Sequence, residues 1–311
     1  MLGGNLSSHH DLWPECGCAK ISQEIPDAMK FLNKESLIVN LVRVVTYFIV
    51  LVVGYLLLDI IVKGLPTISW EFLTGMPRKS GAEGGIYPAI VGTLYLVLGA
   101  VAVALPLGMA TAIYLSEYAT QGKLNQGIRL AIITLAGVPS IVFGLFGLGL
   151  FVLFFGFGAS ILSGSLTLSF MILPTIIVSS EESLRAVPMG LREASLALGA
   201  TKWQTVYKSV LPFALPGMFT GSILGIGRAA GETAPILLTV AAFFLPRLPS
   251  SIFDQVMALP YHLYVLATQH PDTAKVLPMQ YGTALVLIVI VVFLNLTAIL
   301  LRNHFRKKIQ W

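Results

Sequence analysis

The chain has 311 residues, of which 56% are hydrophobic and only 11% charged, and its mean hydropathy is +0.82. A water-soluble domain carries about 25% charged residues, so this composition excludes an ordinary soluble enzyme and points to a lipid-facing surface. Twenty Lys and Arg against 15 Asp and Glu give a net charge of +5. The basic residues flank apolar runs and form no nucleic-acid motif, which fits membrane orientation and leaves nucleic acid out as a partner.

Residues 1–37 read as a cytoplasmic tail. Its start lacks the basic, apolar and small-residue segments of a secretory signal. Cys16 and Cys18 form Cys-Gly-Cys behind His9 and His10, which is not the Cys-x-x-Cys and distant His pair of a zinc site. They are read as reduced thiols in a flexible tail, and neither metal nor cofactor is expected.

A helix needs about 20 apolar residues to cross the hydrocarbon core. Six stretches meet this: 38–62, 90–115, 128–155, 161–179, 212–245 and 281–301. The expected fold is therefore all-α and polytopic, with six transmembrane helices. Ser163, Ser165, Thr167 and Ser169 dilute the fourth stretch. The fifth is too long for one straight span, and Pro212, Pro216 and Pro235 are expected to bend or break it.

With both termini cytoplasmic, 14 basic residues lie on inside flanks and 5 outside: Lys63, Arg78, Lys79, Arg247 and Lys275. This follows the positive-inside rule, and the basic tail 303–311 anchors the end. Segments 63–87 and 246–280 become outside loops, and 180–211 a cytoplasmic loop. Asp59 and Lys63 are expected to pair or snorkel, Glu117 to be solvated, and His262 and His270 to be exposed loop residues. No segment between spans reaches 40 residues and there is no Gly-x-x-x-x-Gly-Lys-[Ser/Thr] loop. The chain is therefore not expected to have an ATPase site of its own.

In the cytoplasmic loop, Pro188 and Gly190 break the preceding helix. Residues 191–198 favour a short helix, ended by Gly199 as a C-cap. Thr201 can cap a second short helix over 202–211. Ala194, Ser195 and Ala197 are small enough for another protein to approach closely.

In the fifth stretch, Arg228 and Glu232 stand four residues apart, neighbours on one helix face. Each mid-membrane charge costs about 2.5–3.5 kcal/mol, which argues for a use. The planar guanidinium matches phosphate or carboxylate oxygens. Arg228 is read as a transient cationic station for a passing anion, with Glu232 holding it when the path is empty. Thr233 and Thr220 could add hydroxyl donors. Gly217, Gly221 and Gly225 recur at i, i+4 and i+8 as a helix-packing face, and Gly227 and Gly231 as a second small pair.

Glu193-Ala194-Ser195, then Gly199 after three residues and Leu211-Pro212 after eleven more, resembles the EAA loop of ABC importer permeases. Ser195 stands where a third alanine is usual, and Ser209 where an aliphatic residue is favoured. The resemblance implies a type I importer permease (MetI-like) fold over 88–302, preceded by the first span and outside loop at 38–87. It implies that Glu193, Ala194, Ser195, Gly199, Leu211 and Pro212 couple to an ATPase subunit, and that ATP-driven closure switches the cavity by alternating access.

Gly227-Arg-Ala-Ala-Gly-Glu-Thr-Ala-Pro-Ile-Leu-Leu-Thr239, with Leu198-Gly-Ala-Thr-Lys-Trp-Gln-Thr205, resembles the phosphate-specific branch of that family. This implies phosphate as cargo and the bacterial cytoplasmic membrane as location. It also implies a sister permease, two ATP-binding subunits and an extracytoplasmic phosphate-binding protein, for which 246–280 is a candidate contact. The alternatives are a molybdate or sulfate permease, a transporter not driven by ATP, or a membrane signalling scaffold.

Overall fold

A computed structural model describes residues 18–81, 83–120 and 122–307. His9, His10 and Cys16 lie outside these residues, and of Cys18 only the backbone is described. The chain divides into two units between Asp59 and Ile60.

The described part of the first unit, from Cys18, is helical. Helix α1 (Cys18–Gly64) carries the first apolar span, Ser36–Thr67. Most of its side chains from Leu37 to Leu58 are exposed around the whole helix. A helix apolar on every side has hydrocarbon as its natural solvent, because its backbone groups are all satisfied internally.

The second unit holds the remaining spans. Helix α3 (Tyr87–Ile113) widens into a π-turn at Tyr114–Tyr118. Helices α4 (Lys123–Ala136) and α5 (Ser140–Gly147) follow, then α6 (Ile161–Arg185) and the short α7 (Met189–Ala197). Helix α8 (Lys202–Thr205) runs through a π-turn, Val206–Val210, into α9 (Leu211–Gly231). Then come α10 (Ala234–Thr239), α11 (Leu259–Thr268) and α12 (Thr273–Lys307).

Among the described residues five helices are long and apolar enough to span, or six if a bent pair counts as one. That pair is the correction to the third expected span: Lys123–Ala136 and Ser140–Phe154 meet at 105°. The cause is local. Pro139 has no N–H and drives Val138 out of the helical region, directly after Gly137. The fifth expected span is corrected as well. The rod covers Lys202–Gly231 and then stops, with Glu232 extended (φ −77°, ψ 134°). Residues 240–245 are not part of it; Ala241 instead forms a bridge with Val256. Pro212 follows directly on the π-turn Val206–Val210, where the winding has already changed, and Pro216 is tolerated inside. Only the region of Pro235 ends the rod.

Helix α6 is the centre of the bundle, with 61% of its most apolar window buried. The hydroxyls that dilute its hydropathy turn inward. Ser169 Oγ donates to the carbonyls of Ser165 (2.7 Å) and Ala100 (3.0 Å), and Thr167 Oγ1 to Ser163 (2.7 Å). Helix α3 meets them with small residues: a Cβ at Gly99 would lie 2.5 Å from Ser165 Oγ. In hydrocarbon, where burial of apolar surface gains nothing over lipid, close approach and shared hydrogen bonds hold helices together.

The segments expected outside are folded. Helix α2 (Trp70–Thr74) is capped by Ser69 Oγ, which accepts from Phe72 N at 3.1 Å. Strands β1 (Pro77–Arg78) and β2 (Glu83–Gly84) form a small antiparallel hairpin. Phe72, Ile86, Met257, Leu259 and Leu266 share a core. Here water is the alternative, so each such side chain contributes about 1.5–3 kcal/mol by burial. His262, expected exposed, lies on α11 and is 3% exposed. Its neighbour is Gly81 of the hairpin turn.

Candidate functional site

Arg228 and Glu232 form an ion pair, Nε to Oε1 at 3.3 Å, with side chains 38% and 18% exposed. Arg228 closes the last turn of α9, and Glu232 is the residue that leaves it. Arg228 lines an open groove of about 1,090 Å³ between α6, α9 and α12. Ser179 and Ser183 come from α6, Thr220 and Gly227 from α9, and Asn295 from α12. Thr233 is the N-cap of α10, makes no side-chain cap and does not line this groove.

Two polar partners of the groove escaped the sequence reading. Asn295 Oδ1 is buried with no hydrogen-bond partner among the described residues. A lone asparagine in the sixth apolar run was the available signal. Arg302, counted as a cytoplasmic anchor, donates to Thr220 Oγ1 at 3.3 Å. Gly217 and Gly221 bring α9 onto α6, where a Cβ would collide with Ser183 Oγ and Ser179 Oγ respectively. At Gly225 a Cβ would be in ordinary contact, 3.5 Å from Ile176 Cγ1. A Cβ at Gly227 would lie 3.0 Å from Asn295, while no described atom lies within 4 Å at Gly231.

The 180–211 loop is built from its own caps. Gly199 adopts φ +85°, a left-handed conformation that a Cβ disfavours, and its N–H bonds Leu196 O at 2.9 Å. Thr201 Oγ1 accepts from Gln204 N (3.3 Å), while Gln204 Oε1 accepts from Thr201 N (2.9 Å), a reciprocal capping box. Ser195 shares a hydrogen bond with Thr205 at 3.0 Å, pinning α7 to α8. Glu193, Ala194 and Leu198 face outward, Leu198 with 89% exposure. The second helix of this loop is not a separate short element as expected: it continues through Leu211 and Pro212 into the 30-residue rod Lys202–Gly231.

Glu117 is the second correction here. Instead of being solvated it is 8% exposed and bound by Arg192. A further ionic group gathers Arg129 (Nε, 2.8 Å) and Arg185 (Nη2, 2.7 Å) on one oxygen of Glu181. Among the described residues no group of three or more His, Cys, Asp or Glu converges as a metal ion would need.

Bilayer-length helices packed through glycine and serine, with the arginine of a charge pair lining a groove, define a polytopic membrane transport subunit. The chain belongs to the family described as binding-protein-dependent transport system inner membrane component, whose model matches residues 102–311. It is 35% identical to the probable ABC transporter permease protein YqgI of Bacillus subtilis (strain 168), over 80% of this chain and 88% of that one. It is 41% identical to the phosphate transport system permease protein PstA 1 of Mycobacterium tuberculosis (strain CDC 1551 / Oshkosh), over 70% and 71%. With PstA of Mycobacterium leprae (strain TN) the identity is 42%, over 68% and 69%.

Among solved structures, the fold is shared with a chain of a bacterial alginate ABC transporter in complex with an alginate-bound periplasmic protein. The TM-score is 0.61 at 14% identity, covering 90% of this chain and 97% of that one. A chain of the inward-facing MetNI methionine ABC transporter gives 0.53 at 17% identity, over 71% and 94%.

Proposed function

We propose that this chain is the membrane permease subunit of an ATP-driven importer of inorganic phosphate, forming half of the translocation path. The observation that carries the reading is Arg228. In a chain similar to phosphate permeases, a guanidinium stands on a groove among bilayer-length helices with the Glu232 carboxylate as partner. A sister permease covers the groove's open side. Phosphate oxygens compete with Glu232 for the fork of Arg228, and return of Glu232 releases the anion inward.

Energy arrives from outside the chain. Partner ATPase subunits hydrolyse ATP and hold the outward face of α7, with Glu193, Ala194 and Gly199 at the contact. A rigid helix of 30 residues is about 45 Å long, so tilting at Thr201 is transmitted along α8 and α9 to Arg228. Both termini lie in the cytoplasm, and the 246–280 segment outside faces a phosphate-binding protein.

The test is uptake of radiolabelled phosphate by cells that depend on this chain. Arg228→Gln should lower uptake by roughly tenfold or more, the factor that about 1.4 kcal/mol of lost binding produces. Membrane abundance and copurification of the ATPase subunits should not change. Undiminished uptake removes Arg228 from the path. Equal competition by molybdate or sulfate would replace phosphate as the cargo.

A further inference from the structure

A second cavity, of about 790 Å³, lies behind the cytoplasmic loop, away from the Arg228 groove. Its walls come from the π-turn after α3, the end of α6, the inner side of α7 and the start of α8. Four cations line it: Arg129, Arg185, Arg192 and Lys202. Glu117 on the wall is saturated by Arg192, at 2.7 and 3.2 Å. Glu181 stands behind Arg129 and Arg185 and serves both through one oxygen. Glu182, the other nearby carboxylate, opens on neighbouring grooves. Four cations against three carboxylates, Glu117 on the wall and Glu181 and Glu182 in the neighbouring groove, leave an excess of one positive charge.

The hydrogen-bond inventory agrees with the charge count. Arg192 is fully engaged, since it also donates to Leu184 O and Val187 O. Arg129 donates through Nη2 to Leu115 O at 2.6 Å, but its buried Nε lacks hydrogen-bond geometry to Glu181 and finds no other acceptor among the described residues. Arg185 is half exposed, its side chain at 54%. Lys202 holds its ammonium 5.1 Å from the Tyr118 ring, which is no substitute for an anion. A concave site of this volume suits a small ligand, and a buried donor without an acceptor, as at Arg129 Nε, is costly until an anion arrives.

We infer that this cavity is an anion-binding site for a phosphate group, with Arg185 and Lys202 as its principal cations and Arg129 beneath them. The phosphate belongs either to free inorganic phosphate or to the headgroup of an anionic lipid. Both present the same tetrahedral oxygens to a guanidinium fork and an ammonium. An occupant here bridges the end of α6 to the start of α8 and so stiffens the loop from within. The binding claim stands independently of the transport reading.

The test uses the chain assembled with its partner subunits in nanodiscs, probed with radiolabelled inorganic phosphate. In phosphatidylcholine alone, the wild-type assembly should show a class of binding that Arg185→Gln and Lys202→Gln each weaken about tenfold. Arg228→Gln should leave that class intact, which separates this site from the proposed path. If a headgroup is the occupant, adding phosphatidylglycerol suppresses this phosphate binding in the wild type, and labelled phosphatidylglycerol is retained by the wild type but not by Lys202→Gln. Lys202 is exposed and its side chain makes no hydrogen bond among the described residues, so its variant keeps the test open should Arg185→Gln misfold. The inference is overturned if both variants bind phosphate and retain phosphatidylglycerol as the wild type does.

Discussion

Arg192 and Glu117, 75 residues apart in sequence, are joined by two hydrogen bonds, Nη2 to Oε1 at 2.7 Å and Nε to Oε2 at 3.2 Å. The same guanidinium donates to Val187 O at 2.7 Å and Leu184 O at 2.9 Å. One side chain of α7 therefore holds the turn after α3 and the end of α6 together. Any displacement of α7 reaches both spans through it.

Both side chains are largely buried, 13% and 8% exposed. Removing one member of such a pair strands the other charge, at a cost of about 3–5 kcal/mol. Glu117→Ala should lower the melting temperature of the assembled protein. Arg192→Ala should lower it further, because two carbonyls lose their donor as well. A double-mutant cycle should give a coupling energy well above zero. Simple additivity of the two losses would show that the pair does not act as a unit.

Gly221 and Gly231 make a matched comparison on one helix. A Cβ at Gly221 meets Ser179 Oγ, whereas no described atom lies within 4 Å of one at Gly231. Overpacking of a tight contact costs about 1–3 kcal/mol. Gly221→Ala should therefore destabilise α9 against α6, and Ser179→Gly in the same chain should restore much of the loss. Gly231→Ala should be near neutral in the same melt. Equal effects at both positions would contradict the packing seen at Gly221.

Much of this was legible in the sequence, and the failures have physical causes. The Gly199 cap and the Thr201 cap were readable because each depends on a few adjacent residues. The spans were readable because hydropathy sums over many residues. The 105° bend was missed because a window average passes over Gly137-Val138-Pro139. A break in the fifth stretch was expected, but its place was not legible, because a tolerated proline such as Pro212 looks the same in sequence as one that ends a helix. Glu117 and His262 were misjudged for another reason. Their burial is set by partners 75 residues away or on the hairpin turn, which no local pattern encodes.

Gly199 provides a test of the loop's backbone. Its φ of +85° is a conformation that an L-residue enters at a cost of roughly 1–2 kcal/mol, with Asn the least penalised. No described atom lies within 4 Å of a Cβ there, so the cost is one of backbone and not of packing. Gly199→Ala should weaken coupling of ATP hydrolysis to uptake in proteoliposomes, and Gly199→Asn should be milder. The reverse order would argue that something other than φ matters at this position.

His262 should make the segment around α11 sensitive to acid. Burial lowers its pKa from 6.5 to about 4, and Nε2 has no hydrogen-bond partner among the described residues. In the opened segment the imidazole takes a proton near 6.5, while in the folded one it does so only near 4. Opening therefore binds a proton between these values. The stabilisation is complete above about pH 6.5 and is lost as pH falls towards 4, by about 3 kcal/mol in all. Amide hydrogen exchange over Leu259–Thr268 in the assembled protein should quicken between pH 7.5 and pH 5, after correction for the intrinsic rate. His262→Leu removes a buried nitrogen that has no partner, so it should cost little at neutral pH. It should also flatten the pH response of this segment, and a variant that kept the wild-type response would exclude His262 as its source.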